Sequence, residues 1–140
     1  MLTLIQVTFA VPLVQYLIIN EAAQGALKGE PFQALTVKRG DLKAEPWILE
    51  RRQNGFVIAT PDKYSVNPRR GEAVLSSFEY EWSIEKAFGG LFTIRIPGED
   101  QVLSWDEYSG KVYILPAIQR PEQLWRIVDG NRYGRMYMYL

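Results

Sequence analysis

Cysteine and histidine are both absent from this chain of 140 residues. Without them there is no disulfide, no thiolate or imidazole metal ligand, no Ser–His–Asp triad and no Cys–His pair. No resident metal and no cofactor is expected. A surplus of charge of either sign is missing too, since 16 Lys and Arg balance 16 Asp and Glu. Nucleic acids and acidic membrane surfaces are usually met with a basic excess, so neither is an expected partner. Convincing helical stripes are also lacking. Glu79–Phe88 comes nearest, but Trp82 and Ile84 alternate and Gly89-Gly90 ends the stretch. With no disulfide framework, a reducing interior suits the chain, and the cytoplasm is the expected location.

What is present is apolar and aromatic: 47% and 13% of the residues respectively. That is a folding composition, and the length fits a single domain with a core of its own. One phrase occurs three times. An aromatic precedes Ile by two residues in Tyr16-Leu17-Ile18, Phe56-Val57-Ile58 and Phe92-Thr93-Ile94. Each is answered by Trp with an aliphatic two residues on, in Trp47-Ile48-Leu49, Trp82-Ser83-Ile84 and Trp125-Arg126-Ile127. A repeat of this length made of short strands implies three similar units closed on one another.

Each unit divides into four strand-like pieces. The first unit has Gln15–Asn20, a weak Gly25–Lys28, Ala34–Lys38 and Trp47–Glu50. The second has Phe56–Thr60, Tyr64–Val66, Ala73–Ser76 and Tyr80–Glu85, and the third Leu91–Ile96, Gln101–Trp105, Val112–Leu115 and Leu124–Val128. Turn formers separate them, among them Asn54-Gly55 and Gly89-Gly90, both expected to supply positive φ. Twelve strands in three units match a β-trefoil, an all-β barrel of three hairpins capped by three more. Another closed barrel or a sandwich is the alternative. Residues 1–140 read as one domain, with 1–14 and 131–140 as atypical terminal extensions. The uncharged run Leu2–Ile19 reads in two ways. Alternation from Ile5 to Leu13 suggests a strand, whereas a signal segment over 2–19 would make the protein secreted.

Several runs carry a resemblance. Tyr80-Glu81-Trp82-Ser83-Ile84-Glu85, Gln101-Val102-Leu103-Ser104-Trp105, Lys111-Val112-Tyr113-Ile114-Leu115 and Gln123-Leu124-Trp125-Arg126-Ile127 are similar to the cysteine-free β-trefoil serine-protease inhibitors of mushrooms, the cospin-like group. The resemblance covers roughly Gln15 to Val128 and rests on strand spacing and Trp positions. It implies inhibition of a trypsin-like serine protease by an exposed, substrate-like loop, and no enzymatic activity. Related mushroom trefoils include cysteine-protease inhibitors and ricin-B-type lectins, and Gln123-Leu124-Trp125 matches the Gln-x-Trp of the latter.

A trypsin-like pocket takes Lys or Arg. The candidate contacts are Lys28, in the region where the resemblance puts the binding loop, then Arg69 and Arg70, then Lys38 and Arg39. Arg51-Arg52, before the Asn54-Gly55 turn, is a further basic pair. For carbohydrate, a stacking aromatic and a carboxylate are needed, and Trp105, Asp106 and Tyr108 offer both. The plainer reading places Trp105 in the core and Asp106 at a turn. Glu99-Asp100 and Asp106-Glu107 are adjacent carboxylates, which point apart at a turn and form no acid–base pair.

Overall fold

The computed structural model describes residues 14–130. Eleven strands run in order: β1 (Gln15–Asn20), β2 (Gly25–Ala26), β3 (Trp47–Arg52), β4 (Gly55–Ala59), β5 (Ser65–Arg69), β6 (Glu72–Ser76), β7 (Glu81–Lys86), β8 (Phe92–Arg95), β9 (Gln101–Trp105), β10 (Val112–Pro116) and β11 (Trp125–Asp129). Six of them pair antiparallel in a ring, β1–β3–β4–β7–β8–β11 and back to β1. A sheet that returns to its first strand is a barrel, not a sandwich, and it has no unpaired edge.

The repeated phrase builds this barrel. In each unit the leading aromatic lies opposite the unit's Trp: Tyr16 against Trp47, Phe56 against Trp82 and Phe92 against Trp125. Two residues along the same face, Ile18, Ile58 and Ile94 are fully enclosed. Period two puts the aromatic and the Ile on one side of the strand, and the barrel interior takes that side. Each buried Ile contributes about 1.5–3 kcal/mol relative to exposure. Each Trp also closes a polar account within its own unit. The indole N–H donates to the carbonyl of Leu27 (3.0 Å), Val66 (2.8 Å) and Leu103 (3.1 Å) respectively. A buried indole otherwise carries an unpaired donor.

The remaining strands cap one end of the barrel. The hairpins β5–β6 and β9–β10 are regular ladders, and they meet at Tyr113 and Glu72. The expected strand Ala34–Lys38 is the exception, reduced to isolated bridges from Ala34 to Val74 and from Thr36 to Lys28 and Lys111. Its hydrogen bonds are divided between both neighbouring units. Leu35 N–H donates to Ala73 O (2.8 Å), and Val37 N–H donates to Gly110 O (2.9 Å). No single partner runs alongside it long enough to form a ladder, so eleven strands stand where twelve were expected.

Two other differences are local. Gly89 and Gly90 have φ of 63° and 75°, as a tight turn requires. Asn54 and Gly55 do not adopt positive φ, contrary to expectation. Gly55 is needed for space instead, because a Cβ there would lie 2.3 Å from the carbonyl oxygen of Trp82. The alternating run Ile5–Leu13 and the extension 131–140 lie outside the described residues.

Candidate functional site

The hairpin joining β9 to β10 is held by its first residue. Asp106 accepts hydrogen bonds from the Ser109 hydroxyl (2.6 Å) and the Ser109 N–H (3.0 Å). The Ser109 hydroxyl oxygen in turn accepts from Lys111 N–H (3.2 Å), and Gly110 takes φ of 75°. This is an Asx-type turn. The Ser109 hydroxyl, and after it the Ser109 N–H, hold the Asp106 carboxyl below the usual aspartate range. The carboxylate is therefore occupied by its own loop. With the loop fixed in this way, Tyr108 stands out at its tip, 91% exposed.

Trp105 lies beneath, only 5% exposed, and its indole N–H donates to Val37 O at 3.0 Å. The guanidinium of Arg39 lies 5.1 Å above its ring. Arg39 also donates to Ala22 O (3.3 Å) and pairs with Glu107 (3.4 Å). Thr36, Lys38, Arg39, Glu107, Tyr108 and Ser109 thus surround an open groove of about 680 Å³ between the first and third units.

The stacking pair expected from sequence is accordingly rearranged. Trp105 is almost wholly covered, and Asp106 gives one of its oxygens, Oδ2, to both Ser109 contacts. Tyr108 supplies the exposed ring, and Glu107 and Arg39 supply the accessible polar groups. Glu107 was visible in sequence only as half of a turn dipeptide. Arg39 carried no signal at all for this place, because its approach to Trp105 depends on the cap pairing between units. Gln123, of the Gln-x-Trp motif, is buried and ties its own loop. Its side chain accepts from Ile118 N–H (2.8 Å) and donates to Pro116 O (2.9 Å).

The basic candidates fall in three places. Lys28 is bound to the Asp41 carboxylate, which that contact, and then the N–H of Lys43, holds below its ordinary pKa. Lys28 lines a cleft of about 410 Å³ with Glu30, Glu45, Asp62 and Tyr64, and does not project as a free tip. Arg69 and Arg70 are exposed on the β5–β6 hairpin, where Arg69 lies opposite Glu72 in the ladder. Arg70 and Gly71 have φ of 51° and 80°, the two left-handed residues of a tight hairpin turn. An extended, substrate-like segment is not what this turn presents. Lys38 and Arg39 belong to the Tyr108 groove. Arg52 is tied to Glu50 and Glu79, and the Glu79 bond raises its pKa above the ordinary arginine value.

Among the described residues no cluster of three or more acidic, His or Cys side chains could hold a metal. No helix there is long and apolar enough to cross a membrane.

No protein-family model matches the sequence, and no curated protein is similar to it. Solved structures do match in fold. A designed three-fold symmetric protein superposes with a TM-score of 0.69 at 12% identity, covering 82% of this chain and 98% of that one. A ricin B-like lectin of Macrolepiota procera, solved in complex with lactose, gives 0.69 at 16%, covering 82% and 94%. The agglutinin of Rhizoctonia solani gives 0.69 at 17%, covering 86% and 97%. These neighbours are β-trefoil proteins, fungal ricin-B-like lectins among them. At such identities the likeness is one of fold: an all-β chain with a closed barrel in a three-fold arrangement.

Proposed function

We propose that the chain is a β-trefoil that binds carbohydrate, and that the groove beside Tyr108 is its binding site. Tyr108 carries the reading. A large ring exposed to 91% gains nothing for the fold, yet it is set on a hairpin braced by five hydrogen bonds, those joining Asp106, Ser109, Gly110 and Lys111. An aromatic ring carried on an ordered hairpin over an open groove suits the apolar C–H face of a sugar ring, while hydroxyls find donors and acceptors at the rim. Arg39, Glu107 and Ser109 provide both kinds. Because the hairpin is already ordered, little entropy is lost on binding. The lactose held by the Macrolepiota procera lectin supports the same ligand class.

The cospin-like inhibitor reading has less behind it. Lys28 is ion-paired, and Arg70 sits in a tight turn.

The test is a glycan array followed by titration calorimetry, with Tyr108→Ala beside the unchanged protein. Single-site affinities in the millimolar to micromolar range, about −4 to −8 kcal/mol, are expected. Loss of Tyr108 should weaken them at least about 10-fold. Binding left intact by Tyr108→Ala would place the site elsewhere, and a blank array together with stoichiometric inhibition of trypsin would refute the reading.

A further inference from the structure

We propose that the saccharide held at the Tyr108 groove is an acidic one, whose carboxylate or sulfate is taken by Lys38 and Arg39. This rests on the carbohydrate reading above. Three carboxylates lie near the groove, and two are already committed. Asp41 is bound by Lys28 and by the N–H of Lys43, and Asp106 by Ser109. Glu107 remains, and its pairing with Arg39 is a loose one at 3.4 Å between side chains 62% and 55% exposed. Water screens a pair of that kind, so it contributes little and yields readily.

The cations are in the opposite condition. Lys38 is exposed and makes no contact ion pair or side-chain hydrogen bond among the described residues, Asp41 acting on it only through a weaker, longer-range attraction. Arg39 lies over the Trp105 ring, its guanidinium carbon 5.1 Å from the ring centre, which keeps the cation beside the groove. Of its five N–H groups, only those facing Ala22 O and Glu107 are engaged. A carboxylate or sulfate oxyanion can therefore be met by a guanidinium edge and a mobile ammonium, both charge-assisted.

Charge also sets this groove apart. Lys38 and Arg39 face Glu107 alone in its lining. In the Lys28 cleft, Lys28 and Lys43 face Glu30, Glu45 and Asp62. In the cleft beside Phe88, Lys86 and Arg95 face Glu85 and Asp100, and in that beside Leu115, Arg120 faces Glu122. The cationic surplus coincides with the most exposed aromatic ring among the described residues, and the pair matches a sugar ring bearing an acidic substituent.

The experiment compares galacturonic acid oligomers with their methyl esters, and chondroitin sulfate with unsulfated chondroitin, using poly-glutamate as a polyanion without sugar. Lys38→Gln and Tyr108→Ala are measured beside the unchanged protein. The expected result is preference for an acidic member over its neutral or less charged counterpart, weakened about 10-fold by Lys38→Gln and further by added salt. Tyr108→Ala should weaken it as well. Acid and ester bound equally, both sensitive to Tyr108→Ala, would overturn the acidic preference and leave the carbohydrate reading standing. Poly-glutamate bound as tightly as the saccharides would also overturn it, by showing that charge alone suffices. If none of these saccharides binds, the acidic preference falls, and the glycan array decides the carbohydrate reading.

Discussion

Replacing Trp82 with Phe tests the claim that each unit is closed by its own indole. Trp82 is fully buried, donates to Val66 O at 2.8 Å, and meets Tyr80 edge-on at 4.9 Å. Phenylalanine keeps an aromatic ring but removes the N–H and part of the volume. Loss of the donor to an enclosed carbonyl costs about 1–3 kcal/mol. A residual void of roughly 40 Å³ adds about 1 kcal/mol. The sum, about 2–4 kcal/mol, corresponds to a fall in Tm of roughly 8–15 °C for a domain of this size. Urea and thermal unfolding followed by far-UV circular dichroism would measure it. Trp47→Phe and Trp125→Phe make the corresponding change at bonds of 3.0 and 3.1 Å, and should agree with Trp82→Phe within about 1 kcal/mol. A loss below about 1 kcal/mol for Trp82→Phe would refute the argument, because the indole bond would then be dispensable.

Two further outcomes follow from the hairpins. The Asp106 carboxyl titrates below the usual aspartate range, so it adds stability at every pH above the unfolded value of about 3.9 and loses that contribution as pH falls through the lowered folded value. Urea midpoints of the unchanged protein and of Asp106→Asn should therefore differ at pH 6 and converge near pH 2; parallel curves would contradict the Ser109 contacts. Arg70 is held at φ 51° beside Gly71, so Arg70→Asn should stabilise by about 0.5–1 kcal/mol in the same assay. Destabilisation would mean that the Arg70 side chain has a role the turn geometry does not show.

The barrel was legible in sequence because its signals are periodic and local. Aromatic-x-Ile and the three Trp residues recur in step, and a period-two strand leaves little freedom about which side they face. Turn chemistry was legible where the backbone itself demanded it, as at Gly89-Gly90. It was misread at Gly55, where the demand comes from the carbonyl of Trp82, a neighbour that only the ring brings close. The strand Ala34–Lys38 was misread for a related reason, since its bonds are shared between two other units. The groove was half legible. Tyr108 stands in the sequence run that suggested it, but the commitment of Asp106 to Ser109 and the placement of Arg39 over Trp105 depend on side-chain geometry and on contact between distant segments. Basic residues mislead most easily in this way: Lys28 and Lys38 look alike in the chain, yet one is in contact with Asp41 and the other feels it only at longer range.

The seam between β1 and β11 has a consequence for how the chain comes into being. The amide of Asn20 donates to Glu122 O, a partner 102 residues further on. During translation at about 5–20 residues per second, the first strand must wait roughly 5–20 s for the strand that covers it. Throughout that interval Leu17, Ile18 and Ile19, all buried in the finished molecule, lack the strand on one side, with only β2 and β3 to pair against on the other. The three-fold ring, which leaves no open edge once complete, offers no such protection to the nascent chain, and that interval is when the protein is most exposed to aggregation and most dependent on chaperones.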